Sequence, residues 1–145
     1  MTHEDFLNKL DRQRIMDAIA EAERNTSGEI RVHVQPKAGG EIRAIAERTF
    51  ERLGMTKTAL RNGVLLFIAS VEQRFVILGD GGINAKVPAG FWDEIAARLT
   101  IRFRSGELTE GIVEAVTAAG MQLKAYFPRA EDDVNELPDD LSIGE

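Results

Sequence analysis

The sequence contains no cysteine and only two histidines, His3 and His33. That excludes a disulfide scaffold, a thiolate nucleophile, every cysteine-based zinc site and any multi-histidine metal centre. Long hydrophobic runs are missing as well. The longest uninterrupted apolar stretch, Val64–Ala69, is far too short to cross a bilayer. Residues 1–11 are polar and mixed in charge, without the apolar segment of a signal peptide. These absences lead to the expectation of a protein without a membrane span that works in the cytoplasm. A basic excess is lacking too, since 24 acids against 18 bases leave a net charge of −6. The excess is unevenly placed. Residues 129–145 hold seven acids and one base, so the 17 acids and 17 bases of residues 1–128 cancel. A neutral body with an acidic tail argues against nucleic-acid binding, which wants a basic face.

What is present suits one domain. A chain of 145 residues, 43% hydrophobic and 29% charged, can bury a single core and resembles ordinary globular composition. Thr2 followed by Asp5 reads as a variant capping box. Phe6, Leu7, Leu10, Ile15, Ala18, Ile19 and Ala22 then form a helical stripe with a slip near residues 12–14, ending at Asn25-Thr26-Ser27-Gly28. Residues 29–35 alternate as a strand with one covered face, which puts His33 toward solvent. A second amphipathic helix carries Ile42, Ile45, Ala46, Thr49, Phe50 and Leu53, with Gly54 as its stop. Val64–Ala69 has the all-apolar pattern of a central strand covered on both faces. The short turn at residues 70–73 makes residues 75–78 its antiparallel partner. Pro88 opens a helix with Trp92, Ile95, Leu99 and Phe103 inward, and Ser105-Gly106 breaks it. The last helix carries Leu108, Ile112, Ala115, Val116, Ala119 and Leu123 and ends before Pro128.

The resulting order is αβαββαα: an α/β fold with a small mixed sheet and helices on both faces. The first two strands, joined by a helix, should be parallel through a right-handed crossover. A fourth short strand could come from the loops around residues 83–87. Residues 129–145 have little apolar surface, so the domain is read as 1–128 with a loosely held or mobile tail. The spacing of Val134, Leu137 and Leu141 leaves docking of that tail as the other outcome.

Strand direction brings three loops to one sheet edge. The end of the third strand, Gly79-Asp80-Gly81-Gly82, should lie beside Thr26-Ser27-Gly28-Glu29 and Arg61-Asn62-Gly63. Glu29, Asp80 and Asn62 would suit a hard cation such as Ca²⁺ or Mg²⁺, which prefers oxygen ligands. Ser27, Arg61, Gly81 and Gly82 would contact a ligand. A nucleotide cofactor is not expected. Lys86 lacks the glycine and hydroxyl neighbours of a Walker loop, and Asn84 stands where the dinucleotide fingerprint needs glycine. Gly82 fills a ligand position of an EF-hand loop. Plainer roles stay open: Asn62-Gly63 as a turn, Ser27-Gly28 as a helix stop, and Asp80 as a turn or capping acid.

At these residues the sequence resembles the TPM-domain family, which includes a thylakoid-lumen acid phosphatase. The resemblance rests on Thr26-Ser27-Gly28-Glu29-Ile30, Leu53-Gly54-Met55, Arg61-Asn62-Gly63-Val64 and Gly79-Asp80-Gly81-Gly82-Ile83. Phe91-Trp92 and the run from Tyr126-Phe127-Pro128 to Pro138-Asp139 add to it, so that it covers most of residues 5–140. It implies a compact α/β/α sandwich and an acidic groove, able in some relatives to hold Ca²⁺, with Glu29, Asp80 and Asn62 as groove residues. Two functions follow. One is a binding or regulatory module whose groove takes a protein loop, a peptide or a phosphorylated ligand. The alternative is a metal-assisted phosphomonoesterase in which Arg61 steadies the phosphoryl charge. Two carboxylates are few for a two-metal site, and no aspartyl-phosphate motif is present.

Overall fold

A computed structural model of the protein describes residues 1–129 and 141–144. Its elements run α1 (His3–Lys9), α2 (Arg12–Glu23), β1 (Glu29–Gln35), α3 (Ile42–Arg52), β2 (Gly63–Ala69) and β3 (Arg74–Gly79). They continue with α4 (Gly81–Asn84), α5 (Phe91–Arg104), α6 (Leu108–Tyr126) and β4 (Leu141–Ile143). The sheet order is β3-β2-β1-β4. β1 is parallel to β2 and to β4, while β2 and β3 form the expected antiparallel hairpin. Every residue of β2 is buried, as its unbroken apolar pattern requires.

The alternation of side chains divides the core into two layers. Ile30, Val32 and Val34 of β1 and Val64, Leu66 and Ile68 of β2 face the layer made with α1, α2, α5 and α6. Leu65, Phe67, Ala69 and Leu78 face α3 and the 3-10 turn Met55–Lys57. The result is an α/β/α sandwich. Among the described residues, no helix is long and apolar enough to cross a membrane.

Four local expectations are corrected. The slip near residues 12–14 is a break: Leu10 is extended, and the Asp11 carboxylate accepts from Arg14 N to start α2. Residues 81–84 form the helical turn α4 rather than a strand, because Asp80 caps Gly81 and the next two N–H groups bond to Arg61 O. The fourth strand instead comes from the tail. Leu141–Ile143 pairs with Val32–Val34, and Leu141 is buried in the core, so this end of the tail is not loosely held. Val134 and Leu137 lie outside the described residues. His33 is buried rather than solvent-facing, since it stacks on Phe67 with ring centroids 5.6 Å apart and meets Ser142 of β4. Trp92 and Phe103 are half-buried and pack against the core, as their place on the α5 stripe predicts.

Candidate functional site

The three loops do converge. Glu29 N donates to Asn62 O at 3.4 Å, and Asp80 N donates to Gly63 O at 2.9 Å, which ties the starts of β1 and β2 to the end of β3. Asn62, almost fully buried, reaches across with Nδ2 to Ser27 Oγ at 3.2 Å. Behind this turn Glu23 of α2, buried, accepts Ile30 N at 2.6 Å and anchors the entry to β1. Nothing in the apolar stripe of that helix marked this role.

Arg61 sits in the left-handed region at φ 52° and aims its guanidinium at Asp80. Arg61 Nε donates to Asp80 Oδ2 at 2.7 Å, and Nη2 donates to Oδ1 at 2.8 Å. This bidentate geometry is the strong form of an arginine–carboxylate pair. Bonding to Asp80, together with its charge, raises the Arg61 pKa above its ordinary value. Asp80 Oδ1 also accepts Gly81 N at 2.8 Å, so the same carboxylate starts α4. The capping role and the site role meet in one residue.

Glu29 lies elsewhere. It pairs with Gly63 across the β1–β2 ladder, and Asp80 stands on the other side of Gly63. The backbones of the two acids are therefore two strand spacings apart, about 10 Å. The space over Gly63 is filled: a Cβ there would meet Met55 O at 3.2 Å and Phe50 Cζ at 3.4 Å. Glu29 itself is 2% exposed. The structure thus groups Arg61, Asp80, Gly81 and Gly82, joins Asn62 to Ser27, and keeps Glu29 apart.

Beside Asp80 opens a cleft of ≈ 390 Å³ whose lining includes Arg43, Glu47 and Glu51 of α3 with Thr56 and Asn84. These groups escaped the sequence reading, which followed only the apolar stripe of α3. A signal existed, because Arg43, Glu47 and Glu51 recur every four residues along one helix face. Asn84 closes the cleft by donating Nδ2 to Gly79 O and accepting from Trp92 Nε1, both at 2.8 Å. The donors here are oxygens, which suit hard cations. Among the described residues, however, no three His, Cys, Asp or Glu side chains group closely enough to hold a metal ion.

Comparison with known proteins agrees with this architecture. A structure of the BA42 protein from the psychrophilic bacterium Bizionia argentinensis, solved by NMR, is 42% identical, covers 92% of each chain and superposes with a TM-score of 0.85. The N-terminal domain of a P. gingivalis protein is 24% identical over 78% of this chain and 74% of its own, with a TM-score of 0.64, and shares the fold. A search of curated proteins finds no match. The family model for the TPM domain matches residues 1–122, most of the chain. On that match and the relative of like length and fold, the chain belongs to the TPM-domain family.

Proposed function

We propose that this domain is a binding or regulatory module whose ligand occupies the acidic cleft between α3 and the β3–α4 junction. A hard divalent cation, Ca²⁺ or Mg²⁺, is shared there between Asp80 and oxygen atoms of the ligand. The observation that carries this reading is the state of the Asp80 carboxylate. An ionised carboxylate offers about four acceptor sites. Oδ1 takes two donors, Arg61 Nη2 and Gly81 N, whereas Oδ2 takes only Arg61 Nε among the described residues. One lone pair of Oδ2 is left on a rigidly held, 7%-exposed side chain at the wall of the cleft.

Such a site is incomplete on its own. Ca²⁺ takes six to eight oxygens, roughly, and the cleft offers Asp80 with Glu47 and Glu51 but no close group of three. Asn62 Nδ2 is spent on Ser27 Oγ, and Glu29 stands two strands away from Asp80. A ligand bearing carboxylate or phosphoryl oxygens completes the shell, which favours a module that captures a ligand over one with a resident ion.

The test is calorimetric titration of the purified protein with CaCl₂ and MgCl₂, alone and with a phosphorylated peptide as probe. The cation alone should bind in the millimolar range and more tightly with the probe present. Asp80→Asn keeps an oxygen for the Gly81 cap and should lose both effects. A wild-type protein that takes no cation at millimolar concentration, with or without the probe, refutes the cation reading. Arg61 favours the phosphomonoesterase alternative, since its side chain is 55% exposed at the same edge. Turnover of a generic phosphomonoester, lost in Asp80→Asn, would support the enzyme; binding without turnover supports the module.

A further inference from the structure

The end of the sheet opposite the loop cluster holds a second cavity that shares no residue with the cleft just described. It measures ≈ 330 Å³ and lies between α1, the C-terminal turn of α5 and the turn joining β2 to β3. That is within the size range of small-ligand pockets, which are mostly apolar with a few polar groups at fixed places. Its walls are aromatic. Phe103 packs edge-to-face against Phe6, with centroids 6.1 Å apart, and against Phe75 at 5.7 Å. Phe75 and Phe103 nevertheless remain half-buried, so ring surface is left facing the cavity.

The pocket is held open by its frame. His3 Nδ1 and Ser70 Oγ are 2.7 Å apart, a hydrogen bond that pins α1 to the end of β2. The Thr2 capping box holds the first turn of α1 in shape beside it. α1 therefore cannot slide over the phenyl rings without breaking these bonds. Only one charged side chain, Arg104, belongs to the lining, and no acid does. Arg104 is exposed and makes no ion pair with any described residue, in contrast to Arg14, Arg24, Arg61 and Arg102.

We propose that this pocket binds a small apolar carboxylate, an aryl or short alkyl acid whose tail meets the phenyl rings and whose head meets Arg104. The planar guanidinium fork matches a carboxylate in two parallel hydrogen bonds. An aromatic tail adds edge-to-face contact with Phe75 and Phe103. Arg104, without an ion pair to any described residue and in a lining with no acid among them, is what selects an anionic head over a neutral one.

The experiment is a ¹H–¹⁵N NMR titration of the full chain with 3-phenylpropionate, 3-phenylpropanol and phenyl phosphate. The acid should shift the amides of Phe6, Phe75, Phe103 and Leu108, and bind roughly tenfold more tightly than the alcohol, as a charge-assisted hydrogen bond implies. Arg104→Gln, a surface change, should abolish that preference while leaving binding of the alcohol unchanged. Shifts confined to residues 79–84, equal affinity for acid and alcohol, or an acid preference that survives Arg104→Gln each overturn the proposal. Tighter binding of phenyl phosphate than of the acid overturns the carboxylate assignment.

Discussion

Gly81 and Gly82 are neighbours in sequence, yet alanine should have opposite effects at the two positions. Gly82 N donates to Arg61 O at 2.8 Å and Ile83 N donates to the same oxygen at 3.3 Å, so α4 docks directly on the backbone of residues 60–61. A Cβ at Gly82 would stand 2.0 Å from Leu60 O and 2.6 Å from Arg61 O. Both are main-chain atoms, so no rotamer relieves the clash and the two segments must separate by about 1 Å or more. That loosens two hydrogen bonds worth about 1 kcal/mol each and adds overpacking of 1–3 kcal/mol, so Gly82→Ala should cost about 3 kcal/mol. Gly81, by contrast, has no atom within 4 Å of a Cβ and needs no left-handed backbone. Alanine there should gain about 0.5–1 kcal/mol, by restricting the unfolded chain and favouring the helical turn. Calorimetry reads both, at roughly 3–5 °C per kcal/mol for a chain of this size. Gly82→Ala should melt about 10 °C lower and Gly81→Ala a few degrees higher. A Gly82→Ala protein within 1 °C or so of wild type would refute the docking of α4 on residues 60–61.

Three further outcomes follow from the same structure. Burial lowers the His33 pKa below its ordinary value, with Arg52 and Arg31 adding to the effect and the bond to Gln35 opposing it. The unfolded chain then binds more protons than the folded one, so stability is full above pH of about 6.5 and falls as pH drops toward the folded pKa. Urea melts between neutral and mildly acidic pH should show this slope, and His33→Gln should flatten it; an unchanged slope would refute the assignment. Leu141→Ala should cost about 2 kcal/mol, the low end for a buried leucine, because its strand is a short edge strand. Removing residues 129–145 should cost at least as much, and a truncated protein melting with wild type would mean that β4 contributes nothing. Asp80→Ala should lower metal-free stability by about 1 kcal/mol through loss of the α4 cap alone, read by the same denaturant melts. A variant as stable as wild type would make Asp80 a pure site residue.

Much of the frame was legible because it depends on near neighbours. The apolar run Val64–Ala69 could only be a strand covered on both faces, and it is wholly buried. The Thr2–Asp5 box forms as read, with both of its hydrogen bonds present. The lengths of the connections decided strand direction, and strand direction brought Ser27, Arg61, Asn62 and Asp80 to one edge. Periods of two and 3.6 residues, caps three residues apart and short hairpin turns are local properties, which a sequence states directly.

What stayed hidden depends on which residue lies opposite which. Gly81 and Gly82 read alike until the backbone of residues 60–61 presses on one of them. Glu29 and Asp80 look like partners on one edge, yet Met55 and Phe50 fill the space over Gly63 between them. Arg61 and Asp80, 19 residues apart, are joined only because the β2–β3 hairpin returns the chain to its start. Alternation alone put His33 toward water; a three-residue strand over a hundred positions later covers it. Composition and periodicity determined the layers of this protein. Register and non-local packing, which no short window of sequence contains, decided which polar groups meet, which are buried and which face a cavity.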